Sequence, residues 1–124
     1  MEIALKILLG LATLICFLGG LNLLTKGTKA YLPETVPPQR RLDNIFRFLS
    51  GIYFGIGFML AWVIFHTVQV GDLLYFIGVA IAFSGLGRLY SRIQVGSPGT
   101  YYDTMMILEI SLGAAIFVLH YCSN

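Results

Sequence analysis

Between Phe48 and Phe65 the chain reads FLSGIYFGIGFMLAWVIF, a run without one charged residue. Wound as a helix rising about 1.5 Å per residue, it covers roughly 27 Å, close to the roughly 30 Å hydrocarbon core of a bilayer. Three further stretches share this character, and over the 124 residues only 11% are charged while 57% are hydrophobic. Soluble domains carry about a quarter charged residues, so these runs are too poor in charge to give a soluble domain its polar surface. The pattern predicts an all-α protein, an integral membrane four-helix bundle forming a single membrane domain over residues 1–124, with spans at about 3–24, 42–67, 72–93 and 103–121.

The connections are marked by helix breakers and charge. Gly27, Pro33, Pro37 and Pro38 interrupt the chain after the first span, where Lys26, Lys29, Arg40 and Arg41 would be costly in hydrocarbon. Asp43 and Asp72 are placed to cap spans two and three. The short VQVGD stretch predicts an antiparallel hairpin of spans two and three, and GSPG separates three from four. Lys26, Lys29, Arg40, Arg41 and Arg92 fall in the first and third connections, against Lys6 alone on the other face, which predicts cytoplasmic connections and both termini periplasmic. No A-x-A-like cleavage site follows the first apolar run, so that run is expected to be retained as a span. Gly10, Thr13 and Gly20 in span one, Gly51 and Gly55 in span two, and Gly113 with Ala114 in span four are expected to let helix backbones approach. Tyr31, Tyr75, Tyr90, Tyr101, Tyr102 and Tyr121 fit an interfacial belt.

Several functions are disfavoured. A net charge of +2, with basic residues scattered over span ends, lacks the footprint of a nucleic-acid binder. Cys16 and Cys122 fit no CxxC or Cys/His ligand spacing, so neither a disulfide nor a structural metal is expected. His66 and His120 lie near span ends on the side opposite the basic loops, close enough to approach one another, but at the water boundary where interfacial histidines are commoner than haem or metal ligands. The chain contains no nucleophile with a partnered base, no phosphate-cradling glycine loop and no paired catalytic carboxylates.

Three charges resist the apolar pattern. The uncharged part of span three runs from Leu73 to Gly87, roughly 22 Å against a core of roughly 30 Å. Arg88 is therefore expected inside the membrane boundary, and Arg92, one turn further, at headgroup level as an interfacial anchor. Glu109 lies roughly 9 Å along the helix from Asp103, and Ile110 to Tyr121 is too short to span alone, so Glu109 is drawn inward too. Arg47 opens the uncharged run of span two, which predicts Arg47, Arg88 and Glu109 at similar depth near one end of the bundle. Ser84 and Ser91 flank Arg88 at i−4 and i+3, Ser50 and Gly51 follow Arg47 at i+3 and i+4, and Gly113 lies one turn from Glu109. Arg47, Arg88, Glu109, Ser50 and Ser84 thus form a candidate ligand-binding site or buried polar cluster. Two arginines against one carboxylate leave a formal +1, which favours an anionic guest such as a lipid headgroup. In the competing reading Arg47 and Arg88 snorkel to the phosphates and the cluster is structural, although the short side chain of Glu109 still favours pairing within the bundle.

The stretches LDNIFRFLSGIYFGIGF and FSGLGRLYSRIQVGSP resemble the DoxX-like superfamily of small four-helix membrane proteins, and more closely a bacterial branch of unknown function. The resemblance implies a four-helix bundle in a bacterial inner membrane. Its members include small subunits associated with quinone-linked sulfur oxidation and animal membrane chaperones or cargo receptors, a breadth from which no single activity follows. It carries no catalytic residue onto this chain.

Three functions are compatible with these features. The leading one is a non-enzymatic accessory or assembly subunit binding a membrane partner or an amphiphile, with membrane lipids or a second membrane protein as its partners. The second is a quinone-binding or redox-associated subunit, with Arg47 and Arg88 on the polar head and Phe54, Phe58 and Trp62 around the tail. The third is a small proton-coupled transporter using Glu109, although neighbouring arginines would hold that carboxylate ionised. No cofactor is predicted; bound lipid or quinone is the ligand these readings admit, and they leave the oligomeric state open.

Overall fold

A computed structural model describes residues 2–27, 32, 33, 35, 37 and 39–123. Lys29, Tyr31 and Pro38, assigned above to the first connection, lie outside them. Among the described residues there are five helices and no strand: α1 (Glu2–Lys26), α2 (Arg40–Ile64), α3 (Thr67–Val70), α4 (Leu73–Val95) and α5 (Thr100–Ser123). Four of them, α1, α2, α4 and α5, are long and apolar enough to cross a membrane. A helix satisfies its own backbone polar groups in hydrocarbon, which is why an apolar chain of this kind takes no other form. The protein is an all-α integral membrane protein.

The helix limits correct the sequence reading in places. Helix α2 begins at Arg40 with Gln39, not Asp43, in the N-cap position, and the Gln39 side chain makes no capping bond. The Asp43 N–H already donates to the Gln39 carbonyl at 2.8 Å, so Asp43 sits in the first turn. At its other end α2 stops at Ile64, and VQVGD is not a bare turn but carries the one-turn helix α3. The β-branched Thr67, Val68 and Val70, followed by Gly71, give that helix little to extend it. Asp72 does occupy the N-cap position of α4, yet its side chain makes no capping bond. Helix α5 starts at Thr100 and takes Asp103 into its first turn.

The chain divides into two units, residues 9–65 and residues 1–8 with 66–124. In the first, α1 and α2 run antiparallel. A Cβ added to Gly20 would meet Tyr53, Phe54 and the Ser50 carbonyl at 3.2–3.3 Å, and the Phe17 ring lies over Gly57. Phe17 also meets Phe54 and Phe58, with ring centroids 6.0 and 5.1 Å away. Helix α1 ends on Gly27 at φ +56°, where a side chain would be strained and would run into the Asp43 carboxylate.

In the second unit, α4 and α5 pack antiparallel, and at their glycines the two backbones come close together. A Cβ on Gly78 would stand 2.8 Å from the Gly113 carbonyl, and one on Gly85 would stand 2.8 Å from the Met106 carbonyl. At Gly113 it would collide with the Ala82 nitrogen and the Gly78 carbonyl. Leu74, Leu112 and Ile116 are buried here. Of the small residues expected at helix contacts, Gly20 and Gly113 take part. Gly10, Gly51 and Gly55 have nothing within 4 Å of an added Cβ, and Ala114 is exposed. Gly57, Gly78 and Gly85 do that work instead.

Candidate functional site

The close approach of α4 and α5 brings opposite charges together. One turn beyond Gly85, Arg88 donates from Nε to both oxygens of Glu109, at 3.2 and 3.1 Å. Neutralising the pair offsets much of the cost of holding either charge in hydrocarbon. Arg88 lies seven residues before the end of α4, about 10 Å along the axis, and Glu109 nine residues into α5, about 14 Å. The uncharged stretch of α5 from Ile110 to Leu119 covers only about 15 Å. Glu109 and His120 cannot therefore both reach the water boundaries of a core of roughly 30 Å.

The two partners are unequally covered. The Glu109 side chain is 10% exposed and that of Arg88 35%, so the carboxylate is the better covered member of the pair. Arg92 repeats the arrangement one turn on. Its Nε donates to Asp103 at 3.1 Å, with the arginine 48% and the aspartate 26% exposed. Ser97 donates to the other Asp103 oxygen at 2.6 Å and accepts from the Gly99 N–H at 3.3 Å, closing the turn between the helices. Because this outer pair is half in solvent, Arg92→Ala is expected to change stability by no more than about 0.5–1 kcal/mol, measured by denaturant unfolding in bicelles.

Other sequence-predicted residues are differently placed. Arg47 donates from Nε to Asp43 at 2.9 Å and from Nη1 to the Leu24 carbonyl at 3.1 Å, tying α2 to the end of α1. Asp43, four residues before Arg47, thereby neutralises the Arg47 charge. That i,i+4 spacing was the available signal. Ser50 is buried, but its hydroxyl donates to the Arg47 carbonyl at 2.6 Å, bonding backbone rather than a guest. Ser84 does not line an inward patch. It is exposed and donates to the Ala80 carbonyl at 3.2 Å, and Ser91 is exposed too. The face of α4 that packs on α5 is set by Gly78 and Gly85, and these serines lie off it.

A second rung closes the opposite end of the α4–α5 pair. His120 is buried, with Nε2 3.4 Å from Asp72 Oδ1 and its ring edge-on to Tyr75 at 4.6 Å. Tyr75 also packs on Phe117 at 4.7 Å. The sequence reading missed this grouping, since Asp72 and His120 are far apart along the chain. Cys16 and Cys122 are not joined in a disulfide, and among the described residues no group of three or more His, Cys, Asp or Glu is placed to hold a metal.

A family model described as a domain of unknown function, DUF4345, matches residues 4–120. Neither the curated proteins nor the solved structures compared with the chain contain a match.

Proposed function

We propose that this chain, which belongs to the DUF4345 family, is a non-enzymatic accessory or assembly subunit that engages a membrane partner or an amphiphile through the polar end of the α4–α5 pair. One observation carries the reading: an Arg88 side chain held by a buried carboxylate about 10 Å inside a helix end, yet 35% exposed. A charged side chain at that depth is held by polar partners rather than by lipid tails. The resemblance of GLGRLYSR and its neighbours to the DoxX-like superfamily, with its accessory subunits and cargo receptors, supports the same reading, which sets the chain in a bacterial inner membrane with the basic connections cytoplasmic. A quinone-binding subunit would draw its tail site from Phe54, Phe58 and Trp62, of which Phe54 and Phe58 also pack on Phe17. A proton-coupled Glu109 would first have to release Arg88.

The test is to extract the full chain from its native membrane without stripping lipid and weigh the intact particle by native mass spectrometry. A protein or lipid retained in stoichiometric amount, and lost in Arg88→Ala, is the expected result. Retention of neither by the unaltered chain overturns the reading.

A further inference from the structure

Polar pairs bridge α4 and α5 at intervals that can be set against the thickness of a bilayer. Asp72 meets His120 at one end and Arg92 meets Asp103 at the other, with Arg88 and Glu109 one turn inside the second. From Asp72, at the N-cap of α4, to Arg92 is 20 residues, about 30 Å along the helix. From Asp103 to His120 on α5 is 17 residues, about 26 Å. Both lengths are close to a hydrocarbon core of roughly 30 Å. With the Arg88–Glu109 pair as the limit instead, they shrink to 16 residues, about 24 Å, on α4 and 11 residues, about 17 Å, on α5. Only the outer pairs give both helices a length that suits a bilayer.

The side chains between and around these pairs agree with that limit. Residues 73–91 carry one charge, Arg88, and residues 104–119 carry one, Glu109, and the two neutralise each other. Exposed Phe76, Phe83, Leu86, Ile107 and Val118 clothe the stretch in apolar surface. At the ends the character changes. Asp72 is 84% exposed and Arg92 48%, and carboxylates and guanidiniums so open belong with water and headgroups. Tyr75 and Tyr121 lie within three residues of Asp72 or His120, and Tyr90, Tyr101 and Tyr102 within two of Arg92 or Asp103. Tyrosines gather in this way at the two membrane interfaces.

We infer that the Asp72–His120 and Arg92–Asp103 pairs mark the two faces of the hydrocarbon core, so that α4 and α5 are fitted to a bilayer core about 26–30 Å thick. Phe83 then lies beside the midplane, and the Arg88–Glu109 pair lies within hydrocarbon. A thicker core would draw Asp72 and Arg92 into the lipid tails, and a thinner one would bare Leu73, Phe76 and Tyr90 to water, so departures in either direction are unfavourable. The inference goes beyond the functional reading and stands whether or not a further partner binds.

Depth can be measured along the exposed side of α4. In the full chain carrying Cys16→Ala and Cys122→Ser, Phe76→Cys, Phe83→Cys, Tyr90→Cys and Val95→Cys are spin-labelled one at a time and reconstituted in dioleoyl phosphatidylcholine. Power saturation then compares access to oxygen with access to a water-soluble nickel chelate. The oxygen-to-nickel ratio is expected to peak at Phe83, to be intermediate at Phe76 and Tyr90, and to be severalfold lower at Val95. A ratio at Tyr90 as low as that at Val95 puts the boundary at the Arg88–Glu109 pair and overturns the inference, as does a peak away from Phe83. The unaltered chain gives a second reading that no substitution can disturb. Its heat-unfolding midpoint is compared in dimyristoleoyl, dioleoyl and dierucoyl phosphatidylcholine vesicles, in order of increasing thickness. A maximum in dioleoyl lipid is expected, and a midpoint that climbs steadily toward the thinnest or the thickest bilayer overturns the inference.

Discussion

Replacing Gly113 with valine is expected to destabilise the α4–α5 pair by about 3 kcal/mol or more, among the largest effects of any single change in this chain. A Cβ at this position is driven into the Ala82 nitrogen and the Gly78 carbonyl, which are backbone atoms and cannot swing aside. The helices would have to separate. In hydrocarbon that separation is poorly compensated, because helix association there depends on close packing rather than on the exclusion of water. Gly85→Val should behave alike, since its Cβ meets the Met106 carbonyl at 2.8 Å and the Ile110 nitrogen at 3.0 Å. The control is built into α2. Gly51 and Gly55 have open space where a Cβ would go, so Gly51→Ala and Gly55→Ala should be neutral or stabilising by up to about 1 kcal/mol each, through helix propensity. Unfolding in bicelles titrated with a denaturing detergent ranks the four variants. Equal losses at Gly113 and Gly51 would contradict the packing described.

The second large effect concerns Glu109. Glu109→Ala leaves Arg88 without the carboxylate on which its Nε rests, and the expected loss is about 2–4 kcal/mol, below the full cost of a buried unpaired charge because Arg88 can turn its head toward the phosphates. Removing both charges by Arg88→Met with Glu109→Leu should cost much less than Glu109→Ala alone, since nothing charged is then stranded. A double-mutant cycle on the same unfolding assay supplies the coupling. If the two changes prove additive, the pair is not an interaction and the account of the site fails. Arg92→Ala, on the more exposed rung, marks the lower end of the same scale.

These predictions rest on unequally legible features. The i,i+4 pair of Asp43 and Arg47 can be read along the helix. Arg88 and Glu109 were placed at similar depth by counting residues against bilayer thickness. That count does not reveal which arginine faces which acid. Asp103 enters only because α5 starts at Thr100, three residues earlier than its apolar run suggests. The Asp72 and His120 rung had no signal in residue spacing, because its members are joined by the antiparallel course of two helices and not by a turn.

The sequence by itself determined the solvent, the number of spans and their approximate limits, because transfer of an apolar run into hydrocarbon and the obligation to satisfy the backbone there depend on composition and length alone. Only the tertiary structure decided which face of each span is inward. A helix apolar on every side carries no amphipathic mark of its buried face, so Gly78, Gly85 and Gly113 reveal their role only when a second backbone lies against them. The same contact makes two similar arginines a better-covered and a more exposed rung, each paired with an acid on the neighbouring helix.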